Sequence, residues 1–482
     1  SEPFFWNYLD NPSGLPHPSH LYWMPLPSII ATAGLVWSGG VSFAAAQIPF
    51  VLLSGLIPVL SALLALRMSG KRRHGWLAGG FATLSGYYLS YQGIPESVVP
   101  YLVLGAGFIL LAFSPPAGGK KRRGRAVLLG FVAGLMHLSR ADGIIWLAAG
   151  LVVTAWKGWA EQKHSWKAVL CLCGFAVIGY LVPMSAWYGR NLTLYGSLFT
   201  PGSNLMLWLT DYNQTFAYPA STLSPESWLA SGVGNILKVR LDALVTNLET
   251  TVAVQGLVFL FPLILVGLWR LRSRSEVKFG AGMWLVTLTL MTVAFPFAGP
   301  RGGFLHSGAA LQALFWAVIP TGLEAFCEIG IKLRNWKMER ALPGFGLVFL
   351  ILAGLTTAGL YWSRVIGDPD NPKWLNSENE YAAIDLALNE LGIKDDEIVM
   401  INNPPGFWLI TQRQAIVIPD GGVETSLAAA MKYGCDFLVL EENHPEGLNK
   451  LYDNPRSFGE LTLLQQVGTA QIFQIEDEVQ PR

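Results

Sequence analysis

A polytopic α-helical membrane protein with a small C-terminal extracytoplasmic α/β domain is the fold class this sequence predicts. Three observations predict it. The 482 residues have a mean hydropathy of +0.39, 52% hydrophobic residues and only 14% charged ones, which is too apolar for a water-soluble chain of this length. Apolar runs near the roughly 20 residues that a span requires recur through the first three quarters of the chain. From about residue 376 the pattern changes to short apolar strands separated by amphipathic helices.

The chain opens on Ser1-Glu-Pro-Phe-Phe-Trp6, with neither an initiator Met nor a basic leader, and is read as an N-terminally truncated fragment whose first span is missing. Next comes a stretch dense in His, Pro and aromatic groups, His17-Pro-Ser-His20-Leu-Tyr22-Trp-Met-Pro-Leu-Pro27, and no Lys or Arg occurs from Ser1 to Phe43. Residues 26–39 are apolar but short, which fits an interfacial helix. Residues 1–43 are thus expected to be the distal part of a first outer loop.

About ten candidate spans follow: 44–67, 75–92, 97–113, 126–138, 143–157, 167–187, 252–270, 279–297, 308–328 and 343–362. The pair 126–138 and 143–157 is short enough to be re-entrant. One set of connecting loops carries Arg67, Lys71, Arg72 and Arg73; Lys120, Lys121, Arg122, Arg123 and Arg125; Lys157, Lys163 and Lys167; Arg270, Arg272, Arg274 and Lys278; and Lys332, Arg334, Lys337 and Arg340. The alternate loops hold only Arg140, Arg190, Lys238, Arg240 and Arg301. Because basic residues stay on the cytoplasmic side, the first set is cytoplasmic. The N-terminal loop, the 188–251 loop and everything after 363 are then external. Residues 44–363 form the multi-span domain and 364–482 the external α/β domain. In the latter, 397–402, 415–419, 437–442, 461–467 and 471–475 read as strands, and 378–391 and 423–433 as helices. Gly421-Gly422 lacks the spacing of a nucleotide-binding loop.

Composition and placement restrict the chemistry. Cys171, Cys173, Cys327 and Cys435 are too few and too scattered for a disulfide framework. His17 and His20 are wrongly spaced for a one-turn metal pair and have Pro18 between them, so no metal site is predicted there. An outer-face arginine runs against the insertion preference and needs something to hold it. Arg140, in His137-Leu-Ser-Arg140-Ala-Asp142, is either half of a local pair with Asp142 or a cation offered to an anionic head group. Arg190, in Trp187-Tyr-Gly-Arg190-Asn191, either snorkels to the interface or clamps phosphate with its planar fork. Arg301 and His306 lie in Gly299-Pro-Arg301-Gly-Gly-Phe-Leu-His306-Ser307, where glycines let backbone approach a ligand. Among external carboxylates, Glu96 and Asp10 are the candidate bases. Their plain readings are a helix N-terminal charge and a turn residue.

These features together resemble the GT-C superfamily of membrane glycosyltransferases, in a bacterial version of the protein O-mannosyltransferase and lipid A aminoarabinose transferase branch. The resemblance covers about residues 1–363, and the tail is similar to external domains that follow the last span in such proteins. It implies inverting sugar transfer from a polyprenyl-phosphate donor to a protein, lipid or glycan acceptor at the outer face of the plasma membrane. Membrane lipid is implied as a partner and nucleic acid is not. The family's acidic residue just after the first span has no counterpart here and is expected to precede Ser1. His20 and Tyr22 fall in the matching loop stretch. Arg140, Asp142, Arg190, Arg301 and His306 fall where donor phosphate and substrate contacts are expected. No cofactor is predicted, and a divalent cation is left open. Two readings compete with the enzyme: a transporter, which would favour midplane charges and repeat symmetry, and a non-catalytic receptor or assembly protein whose tail binds a partner.

Overall fold

A computed structural model describes residues 1–116, 118–161 and 165–476. Lys163, assigned above to a cytoplasmic loop, lies outside the described residues. The chain divides into two compact units, one of 1–22, 194–238 and 366–482, the other of 23–193 and 239–365.

The first unit is built on a six-stranded sheet. Its strands are β1 (Phe4–Phe5), β2 (Ile398–Ile401), β3 (Ala415–Val417), β4 (Cys435–Leu440), β5 (Leu461–Val467) and β6 (Ala470–Ile475), in the order β1-β3-β2-β4-β6-β5. The first four of that order run parallel, and β6 and β5 add an antiparallel hairpin. Side chains alternate between faces with period two. Met400, Ile416, Leu438 and Phe473 join Val423 and Ala430 of the helix Val423–Tyr433. Val399, Ile401, Val439 and Ile472 join Tyr381 and Phe407 of the helices Asn376–Glu390 and Pro404–Thr411. Both faces are therefore covered, as parallel strands require.

The five strands and two helices expected in the tail are present within a few residues. Three additions were not expected: the helices Pro404–Thr411 and Asn449–Asp453 and the strand β1, which comes from the chain's first residues. Around β1, Phe5 and Tyr8 pack with Tyr433 at ring separations of 5.0 and 5.8 Å, and the Tyr8 hydroxyl donates to the Val417 carbonyl at 2.5 Å. The middle segment joins through Phe216, whose carbonyl accepts from the Asp420 N–H at 3.0 Å and whose ring meets Trp6 at 5.3 Å. Three remote segments thus form one compact body.

The second unit is helical. Among the described residues, six helices are long and apolar enough to cross a membrane. The helix Phe304–Arg334 runs through the middle, with nearly every residue from Phe304 to Leu323 buried. Backbones approach through small residues, as membrane helices favour. A Cβ on Gly105 would stand 2.1 Å from the Ala310 carbonyl oxygen, one on Gly130 1.7 Å from that of Ala176, and one on Gly322 2.0 Å from that of Leu263.

Several boundaries differ from expectation. The region 75–92 is the helix Arg72–Thr83 followed by a 3₁₀ stretch, Gly86–Tyr91. The 126–138 and 143–157 pair is longer than hydropathy suggested, Gly119–Ser139 and Ile144–Glu161, because the basic end of the first helix lowers its apolar score. The 252–270 run is broken, with left-handed backbone at Leu257 and Val258 between a π-turn over Thr251–Gln255 and the helix Phe261–Arg270. The helix Trp166–Tyr195 continues through Arg190, and Val233–Thr250, within the expected loop, is also helical.

Candidate active site

Arg140 is where the site begins. The helix Gly119–Ser139 stops at it: Arg140 is extended (φ −153°, ψ 142°) while its N–H still donates to the Met136 carbonyl. Gly143 closes the corner, because a Cβ there would lie 2.3 Å from the Met136 carbonyl oxygen. Asp142 then falls at the start of the next helix, where a negative charge suits the helix dipole.

The Arg140 Nε donates to Asp142 Oδ1 at 2.9 Å, and its Nη2 donates to the Ser307 hydroxyl at 3.1 Å. The Ser307 hydroxyl donates in turn to Asp142 Oδ2. This closed ring fixes the guanidinium, whose Cζ also lies 5.9 Å from the centre of the Tyr101 ring. The Arg140 side chain retains 18% exposure and that of Asp142 only 7%, so the arginine is the accessible partner. Both readings of Arg140 from the sequence thus coexist: it is paired locally and still presents cationic N–H groups.

Ser307 sits in the first turn of Phe304–Arg334, beside His306. The His306 Nδ1 lies 3.9 Å from Glu96 Oε2, and its ring packs edge-on to Tyr91 at 5.4 Å. Glu96 precedes the helix Val98–Ala112. Its Oε1 is buried without a hydrogen-bond partner among the described residues. Burial pushes the Glu96 carboxyl up to about 7, while the Arg140 charge and the Val98 N–H pull it back. Arg301 is exposed on the π-turn Gly299–Gly303 that leads into His306. Gly302, at φ +102°, lets the turn fold back against His306: a Cβ there would meet its Nε2 at 3.7 Å. Three hairpins therefore bring Glu96, Arg140, Asp142, His306 and Ser307 together. Only Ser307 was not singled out from the sequence, where a serine after histidine carries no signal of its own.

The remaining candidates are held elsewhere. Arg190 lies on the helix Trp166–Tyr195, with its Cζ 4.9 Å from the centre of the Trp187 ring and its Nη1 donating to Asn191 Oδ1 at 3.1 Å. His20, Tyr22 and Asp10 belong to the first unit. His20 has left-handed backbone (φ +60°) and Tyr22 is exposed. The Asp10 Oδ2 pairs with the His17 Nε2 at 2.8 Å, both side chains nearly buried. His17 also bridges to Glu2 through two backbone hydrogen bonds. Among the described residues no group of three His, Cys, Asp or Glu side chains could hold a metal ion.

No family model matches the sequence, and no curated protein does either. Solved structures do match. ArnT from Cupriavidus metallidurans, bound to undecaprenyl phosphate, aligns over 94% of this chain and 88% of its own, with a TM-score of 0.54 and 11% identity. Its apo state gives 0.53 over the same shares. The oligosaccharyltransferase AglB from Archaeoglobus fulgidus, in complex with an inhibitory peptide and a dolichol-phosphate, aligns over 90% of this chain at 12% identity with a TM-score of 0.49. The chain spans 63% of the length of that archaeal protein. At such identities the likeness is one of fold, and it agrees with the helices and the sheet described above: the chain has the fold of these ArnT structures.

Proposed function

We propose that this chain belongs to an inverting glycosyltransferase that moves a sugar from a polyprenyl-phosphate donor to an acceptor hydroxyl at the outer face of a bacterial plasma membrane. The observation that carries the reading is the fixed Arg140 beside a carboxyl that titrates near neutrality. Sugar transfer needs a base at the acceptor and fixed positive charge where phosphate departs. Glu96 accepts the acceptor's proton, the freed heteroatom attacks the anomeric carbon from the far side, and the bond from that carbon to the phosphate oxygen breaks. Arg140, locked by Asp142 and Ser307, receives the charge left on phosphate, with Arg301 and Arg190 as further phosphate contacts and His306 facing Glu96. In this reading 1–43 is the distal part of the first outer loop, 44–363 the transferase domain and 364–482 an external domain. The side is supported by charge: of the segments of the sheet unit, 1–22 holds no Lys or Arg and 194–238 holds only Lys238.

The test is a set of labelled polyprenyl-phosphate sugars incubated with membranes carrying the chain within its full-length protein. One sugar is expected to pass to endogenous acceptors, and Arg140→Ala, Arg190→Ala and Arg301→Ala each to lower its transfer at unchanged expression. Undiminished transfer in all three variants refutes the phosphate assignment.

A further inference from the structure

The helix that ends at Arg140 begins in a second cationic site. Arg122 lies 18 residues before Arg140 on Gly119–Ser139, about 27 Å away at the rise of an α-helix. There a cleft opens between Gly119–Ser139, Ile144–Glu161, Trp166–Tyr195 and the end of Val98–Ala112. Arg122, Arg125 and Lys157 line it, and Leu129 and Leu172 give it an apolar wall.

The cations are held in place. Arg125 donates to the carbonyls of Ser114 and Pro115 at 3.2 and 2.5 Å, and Lys157 donates to the Ser114 carbonyl at 3.3 Å. Two carbonyls occupy only part of the donor capacity of the Arg125 guanidinium. A second feature is independent of charge. The Thr154 hydroxyl lines the same cleft, its residue is 7% exposed, and it has no hydrogen-bond partner among the described residues. A buried hydroxyl left unpaired is unfavourable, and a ligand oxygen in the cleft would pair it. Positive charge, a hydroxyl donor and an apolar wall between apolar helices match a phosphate that carries acyl chains.

We propose that this cleft binds the phosphate of one anionic phospholipid headgroup, at the opposite end of the helix from the sugar-transfer site. The site is independent of the sugar-transfer reading.

The test uses the purified full chain in detergent, given equal amounts of phosphatidylglycerol and phosphatidylcholine, with lipid retention read by native mass spectrometry. One phosphatidylglycerol per chain is expected to be retained roughly tenfold over phosphatidylcholine, the scale of a charge-assisted hydrogen bond or two. The double variant R122Q/K157Q is expected to lose that preference while unfolding at the same temperature in phosphatidylcholine alone. Thr154→Val, which keeps the side chain's shape, is expected to weaken it several-fold, and it decides the matter if the double variant does not fold. Equal retention of both lipids overturns the proposal, as does an undiminished preference in Thr154→Val. Inorganic phosphate that displaces phosphatidylglycerol at equal concentration would assign the cleft to free phosphate and likewise overturn the lipid.

Discussion

Replacing Arg140 by Gln should separate what the arginine does for the fold from what it does for transfer. The change removes the Nε–H bond to Asp142 at 2.9 Å and the Nη2–H bond to Ser307 at 3.1 Å. Asp142 is left as a carboxylate whose side chain is 7% exposed, with the Ser307 hydroxyl as its remaining side-chain donor. Breaking a buried pair from one side costs about 3–5 kcal/mol, so Arg140→Gln should inactivate thermally at a markedly lower temperature. Adding Asp142→Asn removes the stranded charge and should restore most of that loss. Transfer should not follow, because the positive charge facing the departing phosphate is still absent. A third readout comes from Glu96. The Arg140 charge lowers its carboxyl against burial, so the pH profile of residual transfer in R140Q/D142N should move to higher pH. The assay is thermal inactivation in detergent alongside transfer of the labelled sugar across a pH series. Recovery of both stability and transfer in the double variant refutes the reasoning and leaves Arg140 a structural residue.

Two further outcomes follow from buried charge. The Glu96 carboxyl is raised from 4.5 to about 7 by burial, so the folded state holds its proton more tightly than the unfolded chain. Stability from this group is complete below about pH 4.5, falls as pH rises through about 7, and is then flat, a span of about 3 kcal/mol at 1.36 kcal/mol per pH unit. Glu96→Gln should remove that slope and, with the base gone, the rise of transfer through pH 7; a slope that persists in the variant contradicts the assignment. In the sheet unit, Arg413 is fully buried and donates to Asp385 at 2.6 Å, Asn389 at 2.7 Å and the carbonyls of Ile393 and Lys394 at 3.1 and 2.8 Å. Arg413→Met should cost about 3–5 kcal/mol, read as early loss of the sheet's circular dichroism on heating, and a change under about 1 kcal/mol would show those acceptors to be satisfied by water.

Much of this architecture could be read from the sequence, for physical reasons that also mark where reading stops. The strands of the tail were legible because both their faces are apolar and turn residues bound them. The Arg140 corner was legible because a lone cation between apolar runs has few innocent explanations. Arg413 was not, since an arginine in Thr411-Gln-Arg413-Gln reads as a surface residue; its acceptors lie up to 28 residues away. The helix Val233–Thr250 was missed because Lys238, Arg240, Asp242 and Glu249 interrupt its apolar face. Strand β1 was beyond reach: two phenylalanines carry no pairing signal, and their partners Ala415 and Ile416 lie some four hundred positions on. The joining of Glu96 to His306 likewise depends on how helices stack, which hydropathy does not encode.

The origin of β1 in the first residues has a consequence for how the protein is made. The Tyr8 hydroxyl and the Val417 carbonyl it binds are separated by 409 positions. During synthesis Phe5, Trp6 and Tyr8 emerge before any strand that can receive them, and all helices of the membrane unit must be inserted first. At roughly 5–20 residues per second that interval is tens of seconds. Over this period an aromatic segment with unpaired backbone waits in solvent, where it is open to proteases and to pairing with other chains. Completion of the sheet is therefore a late event that reports on everything before it: a chain whose helices insert with an odd count leaves its first and last residues on opposite sides of the bilayer, and its sheet never closes.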